Sequence, residues 1–160
     1  MNKLSFEINN SLQFYKKLEE DYSDYIKNNL SSRLAINCAL TSWHLSDWIY
    51  NEYKFDKEFQ NIFEFQKSLK EMCGELQVMH DISNGTKHFF LNKHKPKVEN
   101  TEKHIGPFDS TFGLTFDKTY LKVEMKNGEI LSFETILKKV LLFWKDYLAN
   151  LSKIDKKSTN

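Results

Sequence analysis

The stretch SRLAINCALTSWHLSDWIYNEY, residues 32–53, decides the fold of this chain. Its apolar content is too high for a helix wetted on most sides, and one face holds side chains small enough for close helix packing. Ser31 and Ser32 can cap the start of this helix by accepting hydrogen bonds from backbone N–H groups. The pattern predicts a central helix around which the other elements pack.

Three further segments repeat apolar residues at helical spacing. The first is residues 11–28, and the last is residues 134–152, which form an amphipathic helix. Between them, residues 57–73 form the third predicted helix, for which Asp56 offers an N-cap. A bundle of about five helices results when the segment after Gly74 is included.

That fourth helix in chain order is predicted from residue 75 to about residue 91, because Gly74 ends or bends the third helix. The pair Asn84-Gly85 lies inside it and is both a turn signal and a weak point for a helix. The fourth helix therefore either bends at this pair or breaks and restarts at Thr86.

The amino-acid composition and the hydrophobic pattern change before the last predicted helix. Residues 92–110 contain both prolines and many charges, which predicts a mobile surface loop. Residues 111–133 alternate between apolar and polar side chains, and the pair Asn127-Gly128 suits the tight type I′ turn of a β-hairpin. Residues 153–160 are predicted to be a frayed tail.

These patterns predict one domain over residues 1–160, mainly α in class: a helical bundle with a small antiparallel β-hairpin or sheet inserted before the last helix (α+β). The chain has 160 residues, of which 40% are hydrophobic and 14% aromatic. A chain of this length and composition can form one hydrophobic core but is too short for two. The formal net charge of +1 gives no overall attraction for nucleic acid or anionic membrane. Any contact with nucleic acid must therefore be local.

The cysteines Cys38 and Cys73 lie far apart and lack the paired spacing of a zinc or redox site. They are predicted to be buried free thiols in a reducing cytosol. The beginning of the sequence lacks the apolar run of a signal peptide, and no stretch approaches the ~20 apolar residues of a membrane span. We therefore expect a cytoplasmic protein that has no membrane contact, no cofactor and no metal site.

The predicted central helix carries a narrow polar sector, because residues on a helix advance by about 100° each. This sector is either the wetted side of the helix or a binding surface whose side chains suit fixed hydrogen-bond geometry. The candidate binding residues within it are Arg33, His44 and Asp47. The whole sector contains Arg33, Asn37, Leu40, His44, Asp47 and Asn51.

A second polar sector lies in the stretch HDISNGTKHF, which begins at His80. If the helix is continuous, His80, Asn84 and Lys87 share one face, with His88 beside them. Asp81 lies at the margin and is a further candidate binding residue. Imidazoles exchange protons near neutral pH, and an ammonium group binds phosphate. The sector therefore has the groups needed for acid–base chemistry and phosphate binding.

The same stretch resembles the motif of the HEPN superfamily, small bacterial helical domains of which many are metal-independent ribonucleases in toxin–antitoxin and phage-defence systems. The family motif is an arginine followed by four to six residues and a histidine, often with Asn, Asp or His directly after the arginine. Here Asn84, three further residues and His88 match the second half, and Ser83 stands where the arginine is expected. A second register begins at His80-Asp81 and has seven residues before His88.

The resemblance implies a metal-independent endoribonuclease in which His88 acts as general acid or base. His80 and Lys87 would then bind phosphate or transfer protons, and Asn84 would orient the RNA. The resemblance also implies a homodimer, because family members commonly form one cleft from two copies of the motif. An antitoxin-like or other protein partner is expected with it.

The alternative is a non-catalytic protein-interaction module. In that hypothesis the same polar residues form a buried network between the second and fourth helices. His44 or Asp47 would bond with His80, Asn84 or His88. Such networks determine which helix faces meet and in which register.

Overall fold

The computed structural model describes residues 4–53, 55, 58–88, 95–113 and 115–158, with side chains as far as Lys153. Within these residues the fold is mainly α, with a three-stranded antiparallel sheet before the last helix, as the sequence predicts. The elements are α1 Ser11–Lys27, α2 Ser32–Glu52, α3 Ile62–Met72, α4 Glu75–Lys87, β1 Val98–His104, β2 Tyr120–Met125, β3 Ile130–Ser132 and α5 Phe133–Ser158.

The helix α2 is the centre of the bundle and packs against the other four helices. Ser31 caps its start, because the Ser31 side chain accepts a hydrogen bond from the backbone N–H of Leu34 at 3.3 Å. The small residues Cys38, Ala39 and Ser42 on α2 are fully buried, which lets neighbouring helices approach closely. The predicted role of this helix is confirmed.

The helix α5 packs against the small-residue face of α2 through a large aromatic side chain. Trp144 is fully buried, and its indole N–H donates to the carbonyl oxygen of Ser42 at 3.1 Å. This hydrogen bond satisfies the polar atom of an otherwise apolar side chain inside the core. It therefore positions α5 at a defined height along α2.

The third helix is shorter than predicted. It begins at Ile62, and its N-cap is Asn61, whose side chain accepts from the backbone N–H of Glu64 at 3.1 Å. The prediction of a helix was wrong for residues 58–61, and residues 56 and 57, with the predicted cap Asp56, lie outside the described residues. Phe55 packs on Phe65 with ring centroids 5.1 Å apart, so core packing overrides the helical pattern of the preceding segment.

The helix α4 is continuous through the Asn84-Gly85 pair, so it neither breaks nor restarts at Thr86. It ends at Lys87, and His88 already has an extended backbone, whereas the prediction continued the helix to about residue 91. That prediction was wrong at His88, and residues 89–94 lie outside the described part of the chain.

The strand β1 lies inside the segment that was predicted to be a loop, residues 92–110. This prediction was wrong for Val98–His104, which pairs antiparallel with β2. The five residues between Val98 and His104 are all exposed, so no burial alternation marks the strand in the sequence. Backbone pairing with β2, whose Leu121 and Val123 face the core, holds β1 in place.

The predicted hairpin is present between β2 and β3, but its turn differs from the type I′ prediction. Gly128 has a positive φ of 86°, whereas Asn127 does not have a positive φ. The backbone N–H of Gly128 donates to the carbonyl oxygen of Met125 at 2.8 Å. The N–H of Met125 donates to Glu129 across the pair, which is the pattern of a turn followed by a glycine bulge.

The last helix extends further than predicted in the C-terminal direction. It runs as far as Ser158, through most of the segment that was expected to fray, residues 153–160. The last turns contain neither glycine nor proline, so the backbone hydrogen bonds of the helix continue past the buried Leu151. Among the described helices, none combines the length and the apolar content that crossing a bilayer requires.

Two glycines have opposite surroundings and give a paired test of the fold. A Cβ at Gly106 would lie 2.0 Å from the carbonyl oxygen of Asp117, whereas a Cβ at Gly85 would meet nothing within 4 Å. We expect Gly106→Ala to lower the free energy of unfolding by about 1–3 kcal/mol through overpacking. Gly85→Ala should raise it by about 0.5–1 kcal/mol, because alanine favours a helix interior. Urea unfolding of both variants measures this, and equal effects would contradict the packing described here.

The ion pair between α4 and α5 gives a pH-dependent prediction. Lys139 contacts Glu75 at 2.7 Å, and this hydrogen bond holds the pKa of the Glu75 carboxyl below its usual value. The pair therefore stabilises the folded state above the unfolded-state pKa of Glu75, and the contribution is lost as pH falls through the folded-state pKa. Glu75→Gln should destabilise the protein at neutral pH and converge with wild type in acid.

Denaturant titrations at several pH values measure this effect. The matched control is Glu71→Gln, because Glu71 pairs with Lys67 at 4.0 Å with both side chains mostly exposed. This control should change little at any pH. A constant difference between Glu75→Gln and wild type down to strongly acid pH would show that the ion pair has no part in the stability.

Candidate functional site

The indole ring of Trp43 organises the polar residues where α2, α3 and α4 meet. The His80 imidazole from α4 stacks on this ring, with centroids 4.1 Å apart and planes at 24°. The ammonium nitrogen of Lys70 from α3 lies 5.4 Å from the same ring centroid, within the range of a cation–π contact. One nearly buried side chain thus contacts both an imidazole and a cation, which come from two other helices.

Asn84 lies one helical turn after His80 and bonds to it. The Nδ2 atom of Asn84 is 2.8 Å from Nε2 of His80. Because an amide N–H donates, this pairing places the ring proton of a neutral His80 on Nδ1. A substrate group that is to exchange a proton at Nε2 must therefore first displace Asn84.

The Lys70 ammonium group is half-buried among these residues. Burial lowers the pKa of Lys70, the Asp81 carboxylate acts in the opposite direction, and the nearby Lys97 lowers the pKa further. Lys70 could not be predicted as a site residue from the sequence. The apolar pattern of one helix gives no signal for a contact between α3 and α2. The sequence shows that Trp43 borders the polar sector of α2. It does not show that the Trp43 ring contacts side chains from α3 and α4.

Asp81, a predicted binding residue, has a structural role. It is 4% exposed, and its Oδ2 accepts hydrogen bonds from the backbone N–H groups of Lys97 at 2.7 Å and Val98 at 3.0 Å. Its Oδ1 accepts from the side chain of Gln77 at 2.7 Å. These bonds attach the start of β1 to α4, so this carboxylate is already used by the fold.

Ser83 occupies the position at which the HEPN motif has an arginine. It is buried, and its hydroxyl donates to the carbonyl oxygen of Ala39 on α2 at 3.2 Å. This position faces the closely packed contact between α2 and α4, where the volume of an arginine side chain would not fit. Ser83 therefore brings no charge to this position, and its hydroxyl is used by the fold.

The exposed candidates collect at one end of the helix pair. The helices α2 and α4 run antiparallel, because Trp43 contacts His80 while Ala39 contacts Ser83. Continuation of this register brings the first turn of α2 level with the last turn of α4. The exposed side chains at this end are Arg33 on α2 and Lys87 and His88 on α4. This end therefore carries two cationic side chains and an imidazole.

His44 and Asp47 lie at a different part of α2. Their side chains pair with each other, with His44 Nδ1 3.1 Å from Asp47 Oδ2. Gln66 of α3 donates to Asp47 Oδ1 at 3.4 Å and to the hydroxyl of Ser46 at 2.9 Å. The predicted bonding of His44 or Asp47 with the polar residues of α4 is thus replaced by contacts that join α2 to α3.

The polar sector of α2 also borders an open cleft of about 380 Å³. Asp47, Trp48 and Asn51 line one side of this cleft, and Asn9 and Asn10 line the other. His80 and His88 do not line it. Among the described residues, histidine, cysteine and carboxylate side chains form no group of three or more that could hold a metal ion.

Comparison with protein families, with curated proteins and with solved structures finds nothing that matches this chain. The likeness to the HEPN superfamily therefore depends on Asn84 and His88 within a helical bundle.

The structural role of Asp81 gives a testable difference in stability. Asp81→Ala removes the acceptor of the Lys97 and Val98 N–H groups at the partly buried contact between α4 and β1, and should lower the free energy of unfolding by about 1–3 kcal/mol in total. The control is Asp47→Ala, because the Asp47 side chain is 39% exposed and water can replace its contacts. Chemical unfolding should show a clearly larger loss for Asp81→Ala. Equal losses would mean that Asp81 does not hold β1 against α4.

Proposed function

We propose that the protein is a HEPN-like cytoplasmic protein that binds RNA along the α2/α4 face and cleaves it as a metal-independent endoribonuclease. The observation that carries this proposal is the contact of both Lys70 and His80 with the ring of Trp43. This contact holds a cation and an imidazole on one tryptophan ring, whereas Ser83 supplies no cation at the arginine position of the motif. A role in a toxin–antitoxin or phage-defence system, with an antitoxin-like partner, belongs to the same proposal.

The chemistry requires proton transfer at two oxygen atoms of RNA. A base takes the proton of a 2′-hydroxyl, the 2′-oxygen attacks the adjacent phosphorus, and the 5′-oxygen leaves with a proton from an acid. A 2′,3′-cyclic phosphate and a 5′-hydroxyl result. His88 is exposed at the end of α4 and exchanges one of these protons, while Arg33 and Lys87 stabilise the charge that develops on the phosphate.

His80 acts with Lys70 and Asn84 as a second binding position along the RNA strand. Residues 80 and 88 are separated by about 12 Å of helical rise, which is too far for both imidazoles to flank one phosphate easily. The second proton-transfer group therefore comes from His88 of a second copy. This arrangement agrees with the homodimer that the resemblance implies.

The alternative function is a non-catalytic interaction module, and two buried residues of α4 favour it. Asp81 bonds to the backbone of β1, and Ser83 bonds to the backbone of α2. Both bonds determine how α4 sits between its neighbours, which is what a structural polar network does. In this alternative, His80 and Asn84 belong to the same network and contact no substrate.

The deciding experiment is cleavage of a panel of structured and single-stranded RNAs in EDTA. We expect His88→Ala to abolish cleavage and to leave the melting temperature nearly unchanged, since His88 is exposed. Lys70→Gln should slow cleavage by about 10–100-fold, because a hydrogen bond to a charged group contributes about 1.5–3 kcal/mol.

The control variant is His104→Ala, which removes an imidazole that pairs with Asp117 and has no role in the proposed chemistry. It should cleave like wild type. If wild type leaves every RNA intact and His80→Ala lowers the melting temperature by several degrees, the interaction module is the better account of these residues.

A further inference from the structure

Three phenylalanines in the connection between β1 and β2 form an exposed cluster. Phe108, Phe112 and Phe116, called here the phenylalanine cluster, are 38%, 41% and 50% exposed. Their ring centroids lie 4.9–5.7 Å from one another, so each ring packs on the other two. Ile105 in the same connection is 79% exposed. Contiguous exposed aromatic surface of this kind marks interaction sites in folded proteins.

The backbone beneath the cluster is held in place by specific contacts. The N–H of Phe108 donates to the carbonyl oxygen of Asp117 at 3.3 Å, and the N–H of Thr119 donates to the carbonyl oxygen of Phe108 at 2.7 Å. Gly106 lies so close to the Asp117 backbone that no side chain fits there. The phenylalanine cluster is therefore displayed on an ordered support, which reduces the entropy lost when a partner binds.

A buried lysine also stabilises the backbone that carries the phenylalanine cluster. Lys118 is 8% exposed, and its ammonium group donates to the carbonyl oxygen of Ser110 at 3.3 Å. Its charge is used to hold the connection and is not presented at the surface. The cluster is therefore maintained by polar contacts beneath it, while its apolar rings remain open.

The two exposed charged side chains in the connection between β1 and β2 are carboxylates, and the ammonium group of Lys118 is buried. Residues 105–117 contain Asp109 and Asp117 and neither lysine nor arginine. Hydrogen bonds from the Thr111 side chain and backbone hold the pKa of Asp109 below its usual value, so this carboxylate stays ionised at neutral pH. Asp117 contacts His104 at 2.6 Å and is itself mostly exposed.

This charge distinguishes between the occupants that an exposed aromatic surface can have. Anionic lipid and RNA are repelled by the two aspartates. A second copy of the chain placed symmetrically on this surface would add two more carboxylates to the interface, and no lysine or arginine from residues 105–117. A protein segment with apolar side chains flanked by lysine or arginine satisfies both the rings and the carboxylates.

We propose that the phenylalanine cluster, with Asp109 and Asp117 at its edge, is a docking surface for a basic amphipathic segment of a partner protein. The surface is separate from the α2/α4 face, so the inference goes beyond the proposed ribonuclease function and does not require it. The apolar side chains of the partner pack on the three rings, and its cationic side chains pair with the two carboxylates.

Isothermal titration of the full chain tests this with two synthetic helical peptides that share one leucine face. One peptide carries lysine on its other face, and the matched peptide carries glutamate. We expect the lysine peptide to bind and the glutamate peptide to bind at least about tenfold more weakly. Combining Phe112→Ser and Phe116→Ser should weaken binding of the lysine peptide by about tenfold or more, as expected for central aromatic contacts.

Two matched variants separate the cluster from general stickiness and from misfolding. Phe63→Ser removes a phenylalanine that is 75% exposed on α3 and should leave peptide binding unchanged. Asp109→Asn with Asp117→Asn keeps the acceptor oxygens, and therefore the hydrogen bonds to Thr111 and His104, but removes both charges. This double variant should weaken binding several-fold and reduce its salt dependence.

Several results would overturn the proposal. They are absence of binding to the lysine peptide, equal binding of the glutamate peptide, and an equal loss of binding in Phe63→Ser. Sedimentation that shows a wild-type dimer abolished by Phe112→Ser would assign the surface to a second copy instead. Phe112-dependent binding to phosphatidylserine vesicles would assign it to a membrane.

Discussion

The fold depends on how closely three helices approach α2. This approach is possible because Cys38, Ala39 and Ser42 leave almost no side-chain volume on one side of the helix. Large residues from the neighbours then fill the remaining space, with Trp144 hydrogen bonded to the Ser42 carbonyl as the clearest case. A larger side chain at any of these positions would separate helices that share one core, and interiors packed at this density tolerate such changes poorly.

The same close contact explains why the polar residues of α4 divide into two groups. Residues that point into the α2/α4 contact or toward β1, namely Ser83 and Asp81, are buried and bond to backbone atoms. Residues on the adjacent side of α4, such as His80 and Asn84, are only partly buried. Neighbouring polar residues in one short stretch therefore have different roles. Ser83 and Asp81 stabilise the fold, and the proposed function uses only the residues that are not fully buried.

Helices with a continuous apolar stripe were predictable from the sequence, because their burial repeats with the helical period. The bounds of α1 and α2 illustrate this, as does the small-residue face of α2. The strand β1 was not predictable, since its exposed side chains carry no alternation and it forms through backbone pairing. The late start of α3 depends on Phe55 reaching Phe65, a contact that no local pattern contains.

The candidate site shows the same division. The shared face of His80 and Asn84 follows from helical geometry alone, and the two side chains do bond. Lys70 beside Trp43 and the attachment of Asp81 to β1 depend on contacts between separate elements. The sequence identifies polar residues of suitable chemistry. Only the tertiary structure shows which of them stabilise the fold and which are left for binding.

The uninterrupted path of α4 through Gly85 has a consequence for motion. Glycine gains more backbone freedom on unfolding than any other residue, and nothing packs within 4 Å of the position of its missing Cβ. The turn that follows, with Thr86, Lys87 and His88, is exposed and has few neighbours to hold it. The C-terminal turn of α4 is therefore the part of this helix that unravels and re-forms most readily, while the turns around Met79 stay closed. Lys87 and His88 thus lie on an exposed helix end, whereas His80 lies beside turns whose Leu76 and Met79 are fully buried.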